Sequence, residues 1–440
     1  MTRRMSLMAF MMTGPTGHHH GMWRHPETDN NFLEPYWYEH IARVLEQGCF
    51  DALFFADSLG LPETYRGTYE TVIEKGGQMA LLDPVPLLAI MAQATKHLGL
   101  GVTISTTFLQ PYHLARVLAT LDIISKGRIA WNVVTSTNNI AARNFGFDQL
   151  PSRNERYDRG DEVLEACEKL WSSFAPDTLI VDKESGTFAD ASKVKRADYN
   201  GKWIKTSGPL SVPRSPQGHP VIMQAGASAR GREFAARWAE VVFTLQHAKK
   251  DMEVFYKEMK EAVVAAGRPP EHCAILTSVD PIIGETESIA KEKQDYINSL
   301  VDPELGLALM SYHVGTDLSR FPKDQPIGNI EVEQGARGAL NVIMQGTKAH
   351  GLTLAEAAQR FATSEMCPQV VGTPEQIADQ LQDYFEGGCD GFILTPTVSP
   401  GTFEAFSRSV VPILQKRGLM RKSYEHATLR ENLRANSGMV

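Results

Sequence analysis

The chain has 440 residues and a net charge of −8, from 44 basic and 52 acidic side chains. No long block of one charge sign occurs, which argues against a nucleic-acid surface or a polybasic membrane anchor, because both need clustered positive charge. The five cysteines are odd in number and widely spaced, which argues against a disulfide framework or a structural zinc site and favours a reducing, cytoplasmic location.

In chain order, apolar and β-branched runs alternate with segments of helical periodicity. The predicted strands are 6–12, 52–56, 99–105, 128–134, 220–224, 241–244, 274–279 and 391–394. The predicted helices are 37–47, 84–96, 114–125, 155–172, 229–240, 252–266, 374–386 and 402–416. Eight such repeats favour an α/β fold, a (β/α)8 TIM barrel, over an open doubly wound sheet.

Two long stretches interrupt this repeat, at about 173–219 and 285–371, and a tail follows at 419–440. No Pro/Gly/Ser-rich linker divides the chain, so we expect residues 1–440 to form one barrel domain with two insertions. Insertions of this length are commonly binding loops or lids. We therefore expect both to cover a binding site.

Short hydroxyl side chains cluster where predicted strands end. Ser105 and Thr106 follow the third strand, and Ser136 and Thr137 follow the fourth. Because ligands bind at the carboxyl ends of barrel strands, these residues predict a site rich in hydrogen-bonding groups. Asp57 follows the second strand in the same way.

The fifth strand leads through Gly226 and Ser228 into a helix. A glycine there lets a ligand approach the backbone, and the helix amides favour a phosphate. The alternative is that Ser228 is an ordinary N-cap residue. The segment lacks the Gly-x-Gly-x-x-Gly pattern of a dinucleotide site.

Three consecutive histidines, His18, His19 and His20, raise the alternative of a metal-dependent barrel hydrolase. Successive residues of an extended chain point in opposite directions, and no second pair has ligand spacing, so we expect no metal. His20 remains a possible hydrogen-bonding group at the site. His313 could be an ordinary packing histidine, and its place in the second insertion is what makes it a candidate.

The ordered motifs of the chain resemble those of the bacterial luciferase-like flavin monooxygenases, in the branch that includes nitrilotriacetate and dibenzothiophene sulfone monooxygenases. The resemblance runs nearly end to end. It is carried by Trp23-Arg-His-Pro26, Phe54-Phe-Ala-Asp57, Ser105-Thr-Thr107, Trp131-Asn-Val-Val-Thr-Ser136, Asn144-Phe-Gly146, Glu155-Arg-Tyr-Asp158, Arg214-Ser-Pro-Gln-Gly218, Gln224-Ala-Gly226 and Gly231-Arg-Glu-Phe-Ala-Ala236.

The resemblance implies a two-component system, in which a separate NAD(P)H:flavin reductase supplies reduced FMN and the barrel uses it with O2. It implies homodimers or homotetramers as well. It places the flavin ring and ribityl chain beside Asp57, Ser105, Thr106, Ser136 and Thr137, and the phosphate beside Tyr157, Gly226, Ala227 and Ser228. It also implies that His20 and His313 donate hydrogen bonds to the substrate or the oxygenated flavin.

An apolar group formed by Phe10, Met12, Phe55 and Leu245 favours a flat, hydrophobic substrate, because methionines adapt to irregular ligands. The alternative is that these residues are plain barrel core. We therefore expect an FMN-dependent monooxygenase of a hydrophobic, aromatic or sulfur-containing compound similar to dibenzothiophene sulfone. Other xenobiotic substrates, namely an alkane, an S-substituted cysteine or a chlorinated aromatic, and a flavin-binding module without turnover stay open as alternatives.

Overall fold

Eight parallel strands form a closed barrel in the computed structural model, which describes residues 3–226, 228–246, 249–332, 340–345, 348–349 and 351–438. The barrel strands are β1 (Ser6–Met11), β2 (Ala52–Phe55), β3 (Gly99–Ser105), β4 (Ile129–Val134), β5 (Val221–Gln224), β6 (Val241–Thr244), β7 (Ala274–Ile283) and β8 (Gly391–Leu394). Each pairs with its neighbours in chain order, and β8 pairs with β1 to close the barrel. The TIM-barrel prediction is confirmed.

Strand β7 is longer than the sequence predicted. Its last four residues leave the barrel and pair in parallel with a short strand, Gln369–Gly372, in the register Asp280 to Gln369. This extra pairing ties the end of the second insertion to the barrel. It also fixes Asp280 near the carboxyl end of the barrel strands.

Helices surround the barrel. Their bounds are Pro35–Gln47, Glu70–Lys75, Pro84–Ala94, Pro111–Ile124, Asn139–Asn144, Arg153–Trp171, Ala229–Trp238, Lys249–Ala265, Glu287–Ser299, Pro303–Val314, Leu354–Ala362, Pro374–Gly388, Gly401–Ser409, Val411–Lys416 and Leu429–Asn436. The single helix predicted for 402–416 is wrong, because the chain forms two helices that meet at Val410. Pro412 has no N–H to continue the hydrogen-bond ladder of the first helix. Within the described part of the chain, every helix is too short or too polar to span a bilayer.

The barrel has two apolar layers, because successive residues of a strand face opposite sides of the sheet. Phe10 and Phe54 belong to the interior cluster, and their ring centroids lie 5.6 Å apart at nearly right angles. Leu53 and Phe55 belong to the much larger cluster that packs the strands against the helices. Most of the hydrophobic core therefore lies between barrel and helices.

The C-terminal segment closes the amino end of the barrel. Leu429 and Leu433 join the interior cluster. The buried Arg421 guanidinium forms an ion pair with Asp51, whose carboxylate also accepts a hydrogen bond from Asn436 at 3.0 Å. A buried charge pair of this kind must be fully hydrogen-bonded to be tolerated. The opposite, carboxyl end of the barrel is where the interior stays open.

The first insertion packs on the outside of the molecule. The carboxylate of Glu162, on helix Arg153–Trp171, accepts backbone hydrogen bonds from Lys202, Trp203 and Ile204 at 2.7, 2.9 and 3.0 Å. Its residues line neither of the cavities at the carboxyl end of the barrel. The expectation that this insertion covers the site is therefore wrong, because Glu162 anchors it to the helical layer. The second insertion does reach the site.

Candidate active site

Two adjoining cavities open at the carboxyl ends of the strands, with volumes of about 230 and 340 Å³. They share a wall formed by Asp57, Ser58, Thr137, Asn138 and Tyr312. We name them the hydroxyl cavity, lined by Ser105, Ser136, Tyr157 and Gln224, and the histidine cavity, lined by Phe10, Met12, His18 and His313. The shared wall makes them two halves of one cleft.

The hydroxyl cavity is bounded by the ends of β3 and β4. The hydroxyl oxygens of Ser105 and Ser136 lie 2.8 Å apart. Ser136 has a φ of 56°, a left-handed conformation that is costly for a residue with a side chain and that concentrates at functional sites. Thr137 lines the same cavity, whereas Thr106 is fully buried and donates its hydroxyl to the Val134 carbonyl at 3.3 Å. Thr106 therefore supports the wall instead of forming its surface.

At the far end of the hydroxyl cavity lies the N-terminus of helix Ala229–Trp238. The Ser228 hydroxyl accepts a hydrogen bond from the Gly231 amide at 3.1 Å, so the N-cap interpretation of Ser228 is confirmed. A Cβ on Gly231 would lie 2.8 Å from the Tyr157 hydroxyl and 3.0 Å from the Ser228 hydroxyl, so the glycine leaves room for both hydroxyls beside the helix N-terminus. Gly226 lies just before this turn, and Ala227 lies outside the described residues.

The basic residue near this helix N-terminus, Arg230, already forms ion pairs with two carboxylates. The Arg230 guanidinium contacts the carboxylates of Asp158 and Asp161 at 3.0 and 2.5 Å. An anion at this end would therefore be held by amides and hydroxyls together with the helix dipole, not by a free arginine.

The hydroxyl cavity also contains an unsatisfied acceptor. Gln224, at the end of β5, is 3% exposed, and its side-chain oxygen has no hydrogen-bond partner in the described structure. A buried acceptor of this kind can receive a hydrogen bond from a bound ligand. A planar ring with N–H groups, such as an isoalloxazine, has the complementary donors.

Asp57 stands on the wall between the cavities, where it accepts a hydrogen bond from the Ser58 amide at 2.9 Å. Burial raises the pKa of its carboxyl to about 6, although the hydrogen bond from the Ser58 amide stabilises the ionised form and lowers the pKa. Asp57 can therefore exchange a proton close to neutral pH.

The histidine cavity has an apolar wall, to which Phe10, Met12, Ala56 and Leu309 contribute. Two residues predicted for the substrate pocket lie elsewhere. Phe55 is fully buried and packs outward against Tyr38, with ring centroids 6.0 Å apart. Leu245 follows β6, is 36% exposed and lines neither cavity. The Phe55 prediction fails because its neighbour Phe54 takes the inward position of the strand.

The two predicted histidines meet at a carboxylate that the sequence did not reveal. The His20 Nε2 lies 2.8 Å from Glu365 Oε1, and the His313 Nε2 lies 3.8 Å from the same oxygen. Of these three residues, Glu365 and His313 line the histidine cavity, while His20 is buried behind it. Glu365 is thus the centre of the group.

The backbone at Glu365 is strained. Glu365 and Met366 have φ values of 47° and 73°, two successive left-handed residues with side chains. Such conformations persist only where the surrounding structure enforces them, and they concentrate at functional sites. Gln78 provides part of that enforcement, since its side-chain amide donates to Glu365 Oε2 at 3.2 Å.

The electrostatics of the group keep Glu365 ionised. Burial alone would raise the pKa of its carboxyl, but the hydrogen bond with His20 and the charges of the nearby histidines lower it to about 2. Burial lowers the pKa of His313, so its imidazole is neutral near pH 7. A neutral imidazole beside a carboxylate can donate one hydrogen bond and accept another.

The consecutive histidines do not form one metal site. His18 lines the histidine cavity, His19 bonds to the Asn298 side chain at 3.1 Å, and His20 bonds to Glu365. Each ring has a separate partner, so the metal-dependent hydrolase alternative built on this triplet is not supported.

Comparison with known proteins agrees with this geometry. The family model described as luciferase-like monooxygenase matches residues 18–391. Dibenzothiophene-sulfone monooxygenase from Rhodococcus erythropolis is 48% identical over 98% of this chain and 96% of its own. Nitrilotriacetate monooxygenase component A from Aminobacter aminovorans is 38% identical over 95% of this chain and 94% of its own.

A solved structure of riboflavin lyase with modified FMN and riboflavin superposes with a TM-score of 0.89, at 32% identity over 98% of this chain and 96% of that one. Both the family model and full-length relatives above 30% identity therefore cover nearly the whole molecule. The chain is therefore an oxidoreductase, and it belongs to the luciferase-like monooxygenase family.

Proposed function

We propose that this chain is the oxygenating component of a two-component monooxygenase that uses reduced FMN and O2 to oxygenate a hydrophobic sulfur-containing aromatic compound such as dibenzothiophene sulfone. The observation that carries the proposal is the division of the cleft into a half lined by hydroxyl groups and a half in which Phe10, Met12 and Leu309 face two histidines and Glu365. The relative that acts on a sulfone, by its name, supports the substrate class.

The hydroxyl cavity suits FMN. Ser105, Ser136 and Thr137 offer hydroxyls to the ribityl chain and ring, and Gln224 offers its unsatisfied oxygen to a ring N–H. Tyr157 and the amides at Gly226 and Ser228 suit the phosphate. When bound in its reduced form, FMN supplies the electrons that activate O2.

The histidine cavity suits a flat apolar substrate. Phe10 and Met12 give it an aromatic and a deformable wall, and Leu309 and Tyr312 close it from the second insertion. Burying the substrate there also removes water from the reacting groups. The two halves share the Asp57 wall, so substrate and cofactor lie next to each other in this proposal.

His313 is the group that we assign to the substrate or to the oxygen being transferred. Its ring lines the histidine cavity, while the Glu365 carboxylate faces its Nε2. His20 is buried and bonded to Glu365, so it acts as a positioning residue that fixes the carboxylate. Because Glu365 is ionised and His313 neutral near pH 7, His313 holds a proton at one ring nitrogen that it can donate.

The reductase in this proposal is a separate NAD(P)H:flavin oxidoreductase that delivers FMN by diffusion, and the enzyme works beside it in the cytoplasm. The relative named component A supports such a division of labour. All five cysteines are buried and unpaired, as expected for a reducing compartment. We further propose a homodimer or homotetramer, which light scattering on the purified protein tests.

Photoreduced FMN tests the proposal without any reductase. Protein is mixed anaerobically with photoreduced FMN and dibenzothiophene sulfone, oxygen is admitted, and products are identified by mass spectrometry with ¹⁸O2. An oxygenated, ring-opened product that carries ¹⁸O is expected. Hydrogen peroxide as the sole product would reject this substrate, and a parallel panel of a long-chain alkane, an S-substituted cysteine and a chlorinated aromatic would then show whether another class is used.

A further inference from the structure

A second acid–base pair, separate from Glu365, lies on the wall of the histidine cavity. The His18 ring packs against the Phe10 ring, with centroids 4.3 Å apart. Its Nδ1 lies 3.1 Å from the Thr395 hydroxyl and 3.9 Å from Asp280 Oδ1, two groups that do not line the cavity. The Nε2, on the opposite edge of the ring, is therefore the atom that a ligand in the cavity can reach.

Asp280 is an unusual residue for this position. It is 0% exposed, and its carboxylate faces the His18 ring, the Cys367 thiol and the Thr395 hydroxyl without a hydrogen bond of good geometry among the described residues. Burial raises the pKa of its carboxyl, and a buried carboxylate is costly unless it is protonated or lies beside a cation. Among the described residues, His18 is the only basic side chain within ion-pair distance of Asp280.

The surroundings favour a proton on His18. Burial alone lowers the pKa of the imidazole, but Asp280 and Glu365 raise it above its ordinary value. Phe10 and Thr395 hold the ring in place from two sides. The His18 ring thus offers an N–H group to the cavity at the part of the wall formed by Phe10 and Met12.

We infer that Asp280 and His18 act as a pair, in which Asp280 positions the ring and His18 Nε2 donates a hydrogen bond to an oxygen of the substrate. This inference rests on the proposed function and specifies its substrate class. The site selects apolar compounds that carry a strong hydrogen-bond acceptor, such as the sulfone oxygen, over the corresponding thioether. A site built to donate a hydrogen bond discriminates against an analogue that lacks the acceptor, because its buried donor is then left unpaired.

Two inert ligands of nearly the same shape test this preference. Diphenyl sulfone carries the acceptor oxygens and diphenyl sulfide does not, and binding of each is measured by calorimetry with oxidised FMN present, so that no turnover is required. The wild type is expected to prefer the sulfone. In H18F, sulfone affinity is expected to fall about tenfold or more, as for loss of a hydrogen bond to a charged group, with sulfide affinity changed less than about twofold.

Asp280→Asn tests the positioning role, because it removes the charge and keeps the volume. A several-fold loss of sulfone affinity with unchanged sulfide affinity is expected. His19→Gln is the matched control, since His19 bonds to Asn298 and lines neither cavity, and it should leave both affinities unchanged. The inference would be overturned if H18F or Asp280→Asn weakened sulfone and sulfide binding equally, or if either variant left sulfone binding unchanged.

A bound metal is the competing explanation for this buried carboxylate. The ligand atoms of His18, Asp280 and Cys367 all lie within 4.8 Å of one another. Stoichiometric Zn²⁺ binding that is abolished in Cys367→Ser would overturn the hydrogen-bonding pair, and Cys367→Ser with unchanged sulfone preference and no zinc binding would support it. Failure to oxygenate dibenzothiophene sulfone would reject the proposed function without deciding the binding result.

Discussion

Replacing Glu365 by Gln removes the negative charge that the His20 and His313 rings both face. The pKa of the Glu365 carboxyl falls from 4.5 to about 2 in the folded protein, which corresponds to about 3 kcal/mol in favour of the folded, ionised state. Because the folded pKa is the lower one, this contribution is fully present above about pH 4.5 and is lost as the pH falls towards 2. Glu365→Gln should therefore cost about 3 kcal/mol of stability at pH 7 and roughly half of that at pH 3.

Denaturant unfolding of wild type and variant at both pH values measures this difference. The kcat for oxygenation should also fall, by roughly 10- to 100-fold, because His313 loses the group that orients it. Glu356→Gln is the matched control: it lies on helix Leu354–Ala362, and a glutamine can replace a glutamate in a capping box. A stability loss in Glu365→Gln that is no larger than in this control, or that does not shrink in acid, would show that the two histidines do not stabilise the ionised Glu365 carboxylate.

Three further substitutions test other parts of the cleft. Ser228→Ala should weaken FMN binding by about 1 kcal/mol, whereas Ser152→Ala, which removes a comparable N-cap, should cost similar stability without affecting FMN titrations. His313→Ala should leave FMN binding intact and abolish product formation, and full coupled turnover would remove its assigned role. Asp57→Asn should raise stability by about 3 kcal/mol above pH 6, because the raised pKa of Asp57 makes its ionisation unfavourable in the folded state. The gain should disappear below about pH 4, and an unchanged unfolding curve at pH 7.5 would count against the burial of Asp57.

The barrel could be predicted from the sequence because each of its strands is an apolar run bounded by turn residues. The face that each strand residue occupies was harder to predict. All four residues of β2 are buried, so no polar alternation distinguishes the inward Phe54 from the outward Phe55. A pocket residue chosen by hydrophobicity alone can therefore lie on the wrong side of the sheet.

Several residues of the hydroxyl cavity could be predicted from the sequence because each lies at or just after the end of a predicted strand, where a barrel binds its ligands. The histidine cavity could not, since Glu365 is 345 positions from its partner His20. Asp280 and His18 are likewise brought together only by closure of the barrel. The only local hint at Glu365 is that an acidic residue stands shortly before the β-branched pair Val370 and Val371, and this pattern alone does not predict a site.

Anaerobic titration of the full chain with reduced FMN tests whether the hydroxyl cavity is a flavin site. We expect saturable binding of one FMN per chain, with riboflavin bound more weakly because it lacks the phosphate that the amides at Gly226 and Ser228 are proposed to hold. Absence of saturable binding, or equal affinity for riboflavin and FMN, would contradict the assignment of the hydroxyl cavity.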